Sequence, residues 1–539
     1  MVIFNSFLRL SGGTLILMLA PLAPLAAETE TSPAPATEAT EVPGPAATPD
    51  MGAVEQAWAR GDFVFVRQGL KHLAESSNDM LAQYRYGRVL LEGRGGPQDL
   101  MAARDWLERA AAQNQAAASV LLARLYLSGA PGGPARDPAR AAVLLRPVAV
   151  RGNAEAQYYL GLLYSSGDGV AADPVEALTW TQAAAENDHV EAQFALSRAY
   201  AEGVGTEKDS ARALHWLQQA AAAGHSEAQF WLAYALDSGR GVTRNREAGL
   251  NWLLRAAEGG FLRAQVVLGK KYLRGDGVAH NPQEAQRWLS RGVAAGDLEA
   301  RVTLGLALLG RQGVAANPAR ATELLLQGAA EGAPRASFAL AQMAEQQEAG
   351  FAEAIKLYRQ AVDQGSEAAL LHLGALAAAG QLQGTMAPHH MVPWVSALAA
   401  QQAKDSAPEA AEDEAGSAAI TWLQTQAEAG LRPAQAALGQ LLLTGGDASA
   451  ASSWLAQAAA TGDVEAQHQL GRLYIQGDGV QQDYVQAHKW LNVAAASGSS
   501  AAFEMRAVVA DLMTPEQVAE AQALARQFFA TAKPAAEDH

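Results

Sequence analysis

The sequence contains no cysteine among its 539 residues. This absence excludes disulfide bridges, thiolate metal sites, thiol nucleophiles and a lipid-modified N-terminal cysteine. Aromatic residues are only 6% of the chain, whereas 49% of it is hydrophobic and alanine is the favoured residue. This composition favours small-residue helix packing over a β-rich domain. The net charge is −16, so positive charge is scarce and no nucleic-acid partner is expected.

The N-terminal segment, residues 1–27, is predicted to be a cleaved signal peptide. Arg9 is its only charge, and its apolar run from Thr14 to Ala27 is about 14 residues long, whereas a membrane-spanning helix needs about 20. No stable membrane span is therefore expected, although retention as an anchor stays open. Residues 28–50 are rich in Pro, Ala, Thr and Glu and are predicted to form a disordered linker.

A period of 36 residues runs through the chain after this linker. The pair Leu160–Gly161 has counterparts at residues 196–197, 232–233, 268–269 and 304–305. Self-similarity at this period predicts a helical solenoid. We count about eleven two-helix units between Leu81 and Ala502 and assign the solenoid to residues 51–502. The expected fold class is therefore all-α.

The glycine-rich stretch Gly167–Gly169 could be read as a cation loop or as the joint between two helices. The repeat predicts helices over Ala154–Ser166 and Pro174–Glu186, with Asp173 as the N-cap of the second. The turn residue Asp168 is replaced by Val or Arg in other units, which a calcium loop would not tolerate. The joint is therefore predicted. The cap position holds Asp or Asn elsewhere too, at Asp99, Asp137, Asp209, Asn245, Asn281, Asn317 and Asp483.

Tryptophan follows the same period. Eight of the eleven tryptophans occupy one place in the second helix of a unit, which predicts packing between helices rather than a ligand site. These residues are Trp106, Trp180, Trp216, Trp252, Trp288, Trp422, Trp454 and Trp490.

The stretch "YYLGLLYSSGDGVAADPVEALTWTQAAAENDHVEA", residues 158–192, resembles the repeat of the Sel-one-like repeat family, a subfamily of tetratricopeptide-type solenoids. The resemblance implies a right-handed α/α solenoid whose first helices line the concave side. It also implies binding rather than chemistry, because members serve as adaptors and scaffolds, often in the bacterial envelope. The tail resembles the closing segment of bacterial members, so residues 503–535 are expected to be a C-terminal helical cap whose last helix begins with a capping box at Thr514–Gln517.

A binding groove is predicted on the first helices, where three positions vary from unit to unit and share one helix face. Trp231 lies outside the tryptophan period and is expected to face solvent as a binding anchor. The alternative is that Trp231 and Tyr234 pack over a neighbouring helix. The candidate groove residues are Tyr159, Leu162, Arg198, Trp231, Tyr234, Lys270 and Arg274.

Residues 381–419 interrupt the repeat and are predicted to form an inserted loop. Met386, His389, His390 and Met391 have side chains that bind soft metals, but a metal-free surface loop is the simpler interpretation. Trp394 either docks the segment on the body of the protein or contacts a partner.

The main functional hypothesis is a periplasmic adaptor that holds a protein or peptide in the groove, without a cofactor. The resemblance suggests envelope assembly, exopolysaccharide export or signalling regulation as its setting. One alternative is a saccharide or peptidoglycan binder that uses the aromatic residues of the groove. The other is an enzyme, although no nucleophile–base, phosphate-loop or zinc-protease motif is found.

The signal peptide generates the first prediction. If it is cleaved after Ala27, the intact mass of the protein recovered from the periplasm corresponds to a chain that begins near Glu28. Recovery of the full-length chain from membranes alone would contradict the prediction.

Overall fold

The computed structural model describes residues 50–347, 350–405 and 414–531, and this part of the chain is built of helices joined by turns, without a strand. The predicted signal peptide and nearly all of the linker lie outside these residues. Contacts divide the chain into two compact units, Met1–Ala295 and Gly296–His539. In each unit, consecutive helices pack in pairs, as the all-α solenoid prediction requires.

The first unit contains fourteen helices in its described residues. In chain order they are α1 Met51–Ala59, α2 Phe63–Ser76, α3 Met80–Glu92, α4 Leu100–Ala112, α5 Ala116–Ser128, α6 Pro138–Val150, α7 Ala154–Ser166, α8 Pro174–Glu186, α9 Val190–Glu202, α10 Ser210–Ala222, α11 Ser226–Ser238, α12 Arg246–Glu258, α13 Leu262–Arg274 and α14 Pro282–Ala294.

The described residues of the second unit form thirteen α-helices and one π-helical turn, Ala307–Arg311. The helices are α15 Leu298–Leu306, α16 Pro318–Ala330, α17 Pro334–Glu345, α18 Phe351–Asp363, α19 Glu367–Ala378, α20 Pro388–Asp405, α21 Glu414–Glu428, α22 Arg432–Thr444, α23 Ala448–Ala460, α24 Val464–Gln476, α25 Tyr484–Ala496, α26 Ser500–Ala510 and α27 Pro515–Thr531. Across the described ranges, none of the helices has the length and apolarity to cross a membrane.

The predicted helix caps are confirmed. The Asp173 carboxylate accepts hydrogen bonds from the backbone N–H groups of Val175 and Glu176, at 2.9 and 3.1 Å. All seven equivalent Asp and Asn residues also cap their helices through the side chain. These bonds satisfy N–H groups that have no partner inside the helix. The capping Asp or Asn thus fixes where the second helix of each pair begins.

The turn at Gly167–Gly169 is a joint between helices, as predicted. Gly167 has a φ of 74° and ends α7 in the left-handed conformation that glycine adopts without strain. A Cβ atom on Gly169 would lie 2.3 Å from the backbone nitrogen of Ala139, so this turn packs directly against the first turn of α6. The Asp168 carboxylate pairs with the Arg136 guanidinium. Asp168 therefore connects successive helix pairs.

Glycine allows the two helices of a pair to approach closely. A Cβ on Gly269 would lie 2.7 Å from Cγ of Leu289, and the other glycines at this position are equally confined by the second helix of their pair. In most pairs the leucine that follows the tryptophan, such as Leu253, is therefore buried, and Trp288, Trp422 and Trp490 are themselves buried beside it. Trp252 itself is only half-buried and lies beneath Arg255, whose Cζ is 4.8 Å from the ring centroid.

A buried glutamine connects each of several helix pairs to the preceding one. The side-chain amide of Gln229 on α11 donates to the carbonyl of Ala221 at the end of α10, over 3.1 Å. The Ala221 carbonyl also accepts from the backbone N–H of Gly224 over 3.2 Å, so the glutamine uses a second lone pair of this carbonyl and its own buried amide gains a partner. The same bond is made by Gln157, Gln193 and Gln265 in the first unit and by Gln435 and Gln467 in the second.

An aromatic stack runs beside these glutamines in the first unit. The ring centroids of Tyr158 and His189 are 4.4 Å apart, and those of Phe194 and His225 are 4.5 Å apart. Each histidine is also an N-cap, since its Nδ1 accepts from a backbone N–H three residues later. A ring nitrogen can accept this bond only when it carries no proton.

The segment predicted to be an inserted loop is partly helical. Helix α20 begins at Pro388 and packs against α19, and α21 begins at Glu414, so the loop prediction over residues 381–419 is wrong for Pro388–Asp405 and for residues 414–419. Trp394 is 8% exposed, and its carbonyl oxygen lies 2.5 Å from where a Cβ on Gly374 would be. The Trp394 side chain belongs to the core of the second unit and thereby docks this segment on the body of the protein, while Leu398, 3.2 Å from the same Cβ, takes the crossing position that a leucine occupies in other pairs.

The capping box at the start of α27 is confirmed. The N–H of Thr514 donates to Oε1 of Gln517 over 2.9 Å, and the N–H of Gln517 donates to Oγ1 of Thr514 over 3.3 Å. Phe528 then packs edge-on against Trp490, with ring centroids 5.5 Å apart, and thereby covers the end of the helix stack.

The histidine caps predict loss of stability in acid. Burial lowers the pKa of His189 and His225, although Glu155 and Glu191 oppose the effect at the first ring and Glu227 and Glu191 at the second. An unfolded histidine titrates near pH 6.5. Stability that is present above about pH 6.5 is therefore lost as the pH falls towards the lower folded pKa.

The double variant H189N/H225N tests this effect, because Asn153 occupies the equivalent position and caps α7 through Oδ1 at 2.8 Å. We expect the melting temperature of the wild type to fall more steeply with acidification below neutrality than that of the variant. Parallel pH profiles would show that the caps do not titrate.

Candidate partner-binding pocket

A pocket of about 390 Å³ lies between α11, α12 and α13 in the first unit. A volume of this size lies within the range of about 300–1,000 Å³ that is typical of ligand pockets. The lining comprises Phe230, Trp231, Ala233, Tyr234, Asp237, Arg246, Gly249, Leu250, Leu253, Arg263, Val267, Lys270, Lys271, Arg274, Asp276 and Gly277.

The floor of the pocket is apolar and aromatic. Trp231 packs edge-on against Phe230 and Tyr234, with ring centroids 5.3 and 6.1 Å apart. The indole N–H donates to Glu227 over 3.3 Å, and the Tyr234 hydroxyl accepts from Arg240 over 3.0 Å. The polar ends of both aromatic residues are thus engaged within the protein, and they offer the pocket apolar ring surface.

The pocket exists because the turn at Gly277 does not pack against the preceding helix pair. A Cβ on Gly169, Gly205 or Gly479 would lie 2.1–2.3 Å from backbone atoms of the helix against which its turn packs. At the equivalent Gly277 the nearest atom outside the turn is Nζ of Lys271, 4.0 Å away. The space that other turns fill is therefore open between Gly277 and the start of α12.

Gly249 widens the same region. The equivalent position in the second helix is alanine in the other pairs, for example Ala213 and Ala285. A Cβ added to Gly249 would lie 3.0 Å from the carbonyl oxygen of Ala233. Ala233 itself occupies the position that is usually glycine in the first helix. Glycine has moved from one helix to the other at this crossing, so the close approach is retained and α12 presents bare backbone to the pocket.

Lys271 holds one end of the pocket in place. Its Nζ lies 3.0 Å from Oδ2 of Asp237 and 3.4 Å from Oδ2 of Asp276, and its side chain is only 15% exposed. Asp237 also faces Arg246 at 3.8 Å. These ion pairs connect the end of α11 with the turn after α13. Lys271 and Arg246 together balance the charges of the two carboxylates at this end of the pocket.

The rim along α13 is basic. Arg263, Val267, Lys270 and Arg274 follow the spacing of a single helix face. The whole lining has five basic and two acidic residues, although the protein as a whole is acidic. Within the described residues, Arg274 forms no ion pair with a carboxylate. The arrangement can hold a group that combines an apolar side chain with negative charge.

Four of the seven predicted groove residues meet in this pocket: Trp231, Tyr234, Lys270 and Arg274. The other three lie on helices α7 and α9, outside the lining. Leu162 is buried, and Tyr159 is half-buried with the Arg124 guanidinium 6.0 Å from its ring centroid. Arg198 pairs with Glu202 at 3.6 Å on its own helix.

The expected exposure of Trp231 is wrong. Trp231 is 4% exposed and belongs to the core between α11, α12 and α13, so the packing alternative holds for this residue. The physical reason is that the first-helix face is covered in part by the next pair, which a pattern within one unit does not reveal. Conversely, Trp252 on the regular tryptophan position is more exposed than expected.

Lys271 and Gly249 were missed, although the sequence carries a signal for both. Lys271 occupies a position that is apolar and buried elsewhere, as at Leu163, Ala235 and Leu473. A charge at such a position must be paired or leave the core, and here it is paired. Comparing the constant positions, rather than only the variable ones, would have identified both residues.

No group of three or more His, Asp or Glu side chains is placed to bind a metal in the described ranges. Met391, one of the residues considered as a soft-metal ligand, is buried.

The burial of Trp231 reverses the order of stability expected from sequence. Truncation of a buried aromatic residue costs about 3–5 kcal/mol, so Trp231→Ala should lower the urea midpoint strongly. Trp252→Ala should cost less, because its ring is only half-buried, between the core and Arg255. Urea unfolding followed by circular dichroism compares the two, and a larger loss for Trp252→Ala would contradict the assignment.

Comparisons with known proteins agree with this fold. The chain is similar to c5321, a protective antigen from uropathogenic Escherichia coli with an SLR fold, at 29% identity over 86% of this chain and 94% of that one, with a TM-score of 0.54. It is also similar to a Sel1 repeat protein from Oxalobacter formigenes, at 28% identity over 55% of this chain and 89% of the other, with a TM-score of 0.45. No curated protein sequence matches.

The family model described as "Sel1 repeat" matches ten segments that together cover more than half of the chain. They are residues 81–115, 116–147, 154–189, 190–225, 226–261, 262–297, 299–332, 334–366, 432–463 and 464–499. The region around α19–α21 is unmatched, where the short glycine turn is replaced. The resemblance to Sel-one-like repeats is thereby confirmed, and the chain belongs to the Sel1 repeat family.

Proposed function

We propose that this protein is an adaptor of the bacterial cell envelope that binds a partner protein through the pocket between α11, α12 and α13. Sel1 repeat proteins generally mediate protein–protein interactions as scaffolds. The observation that carries the proposal is the lining of the pocket, in which an apolar, aromatic floor adjoins charged residues at the rim. Such a combination is typical of the places where protein partners anchor.

The periplasm is the proposed location. The predicted signal peptide supports it, and a chain without cysteine is unaffected by an oxidising compartment. The similar protein from E. coli is described as a protective antigen, a role that fits a protein outside the cytoplasm. A setting in envelope assembly, exopolysaccharide export or signalling regulation follows from the family resemblance.

Saccharide binding has less support. A saccharide-binding tryptophan offers an exposed ring face, whereas Trp231 is 4% exposed and packs edge-on against two neighbouring rings. Its indole N–H and the Tyr234 hydroxyl already have partners within the protein. The groups that would orient a sugar are thus already engaged.

Filling the pocket tests the proposal. Val267 lies half-buried in the lining, so Val267→Trp should occupy the pocket while leaving the helix pairs intact. With the tagged chain as bait in an envelope extract, we expect partners captured by the wild type to be depleted about tenfold or more by this variant.

Val143→Trp is the matched control, because Val143 is 72% exposed on α6 and lies outside the pocket. It should capture the same proteins as the wild type. If Val267→Trp folds normally and captures every partner as well as the control does, the pocket is not the docking site.

A further inference from the structure

We infer that the partner segment held by this pocket is an acidic peptide that carries a bulky apolar side chain. This inference rests on the proposed function and specifies which class of segment the pocket selects. It follows from three features of the lining: the charge balance, the arrangement of the cations along α13 and the apolar floor beneath them.

The charge balance favours an anionic occupant. Between residues 240 and 291 the chain has ten basic and four acidic residues, in a protein whose net charge is −16. Both carboxylates of the pocket lining, Asp237 and Asp276, lie within 3.4 Å of the Lys271 ammonium, and Arg246 also faces Asp237, so these two cations balance the two negative charges. The positive charge of the rim therefore faces the opening, where complementary charge would steer and orient a partner.

The spacing of the rim suits carboxylates on a peptide. Lys270 and Arg274 are four residues apart on α13, which places them about 6 Å apart along the helix axis. Alternate residues of an extended peptide are separated by about 6.6 Å and lie on one face. Two acidic side chains in such a segment can each face one cation. A guanidinium such as that of Arg274 also pairs with a carboxylate in a bidentate geometry.

The floor supplies a site for an apolar side chain next to this charge. Val267 lies between Arg263 and Lys270 on the same helix face, and both Val267 and Leu250 pack against the core cluster that contains Trp231. One large apolar side chain gains about 1.5–3 kcal/mol from full burial. A purely acidic chain would leave this surface exposed, whereas a neutral apolar segment would not complement the net positive charge of the lining.

Fluorescence anisotropy with the full chain tests the inference. The probe is a short fluorescein-labelled peptide in which Glu and Asp surround one Phe. We expect binding that weakens with ionic strength. Replacing the acidic residues by Gln and Asn, or the Phe by Ala, should weaken it about tenfold or more. The charge-reversal variant K270E/R274E should show a similar loss.

The control is R287E/R291E. It makes the same change in charge at the same four-residue spacing, on α14 outside the pocket. Its affinity for the acidic probe should remain within about twofold of the wild type. Equal losses in the two variants would show that the probe responds to overall charge, and the inference would fall.

The outcomes separate the inference from the proposed function. If the Gln/Asn peptide binds as tightly as the acidic one and Val267→Trp abolishes both, the pocket binds peptides without selecting acidic ones, so the inference fails and the proposed function stands. If Val267→Trp affects neither probe binding nor partner capture, both ideas are wrong. Displacement of the probe by anionic lipid vesicles, or self-association that K270E/R274E abolishes, would assign the pocket to a membrane surface or to a second copy instead.

Discussion

A buried hydrogen bond from glutamine to the end of the preceding helix holds successive helix pairs together. Gln229 donates to the last turn of α10, and five equivalent glutamines do the same elsewhere. A buried amide donor left without a partner costs about 1–3 kcal/mol, so each pair is constrained to place its first helix where the glutamine can reach this carbonyl. The repeat period, the turn length and the burial of the small-residue faces all conform to this constraint.

The pocket arises where the glutamine hydrogen bond is retained but the surrounding residues differ from those of the other helix pairs. Gln265 still bonds to Ala257, so α13 is seated normally on α12. At the helix crossing, Ala233 stands where the first helix usually has glycine, and Gly249 stands where the second helix usually has alanine. Lys271 places a charge in a position that is apolar elsewhere. The ion pairs of Lys271 occupy the end of the pocket, while the turn at Gly277 does not pack against α12. A regular solenoid thus acquires a specific cavity without losing its stacking.

The fold could be predicted in detail because its signals are local. Asp173 caps a helix and Gly167 ends one, and equivalent residues recur with the period of 36 residues. The capping box at Thr514 was predicted for the same reason. By contrast, helix α20 was not predicted, because its segment lacks the glycine turn and the aspartate cap. Its position depends on the close approach of its backbone to Gly374 and on the burial of Trp394 in the core of the second unit, neither of which the repeat pattern signals.

The sequence by itself determined the helical repeat, the class of protein and the region in which Tyr234, Lys270 and Arg274 lie together. Only the tertiary structure decided that Trp231 is buried and Trp252 is not, because the exposure of a helix face depends on which neighbouring pair covers it. It also decided that a pocket opens at Gly277. A gap of a few ångströms between two packed elements depends on how side chains such as Lys271 fill space, and repeat periodicity does not encode this.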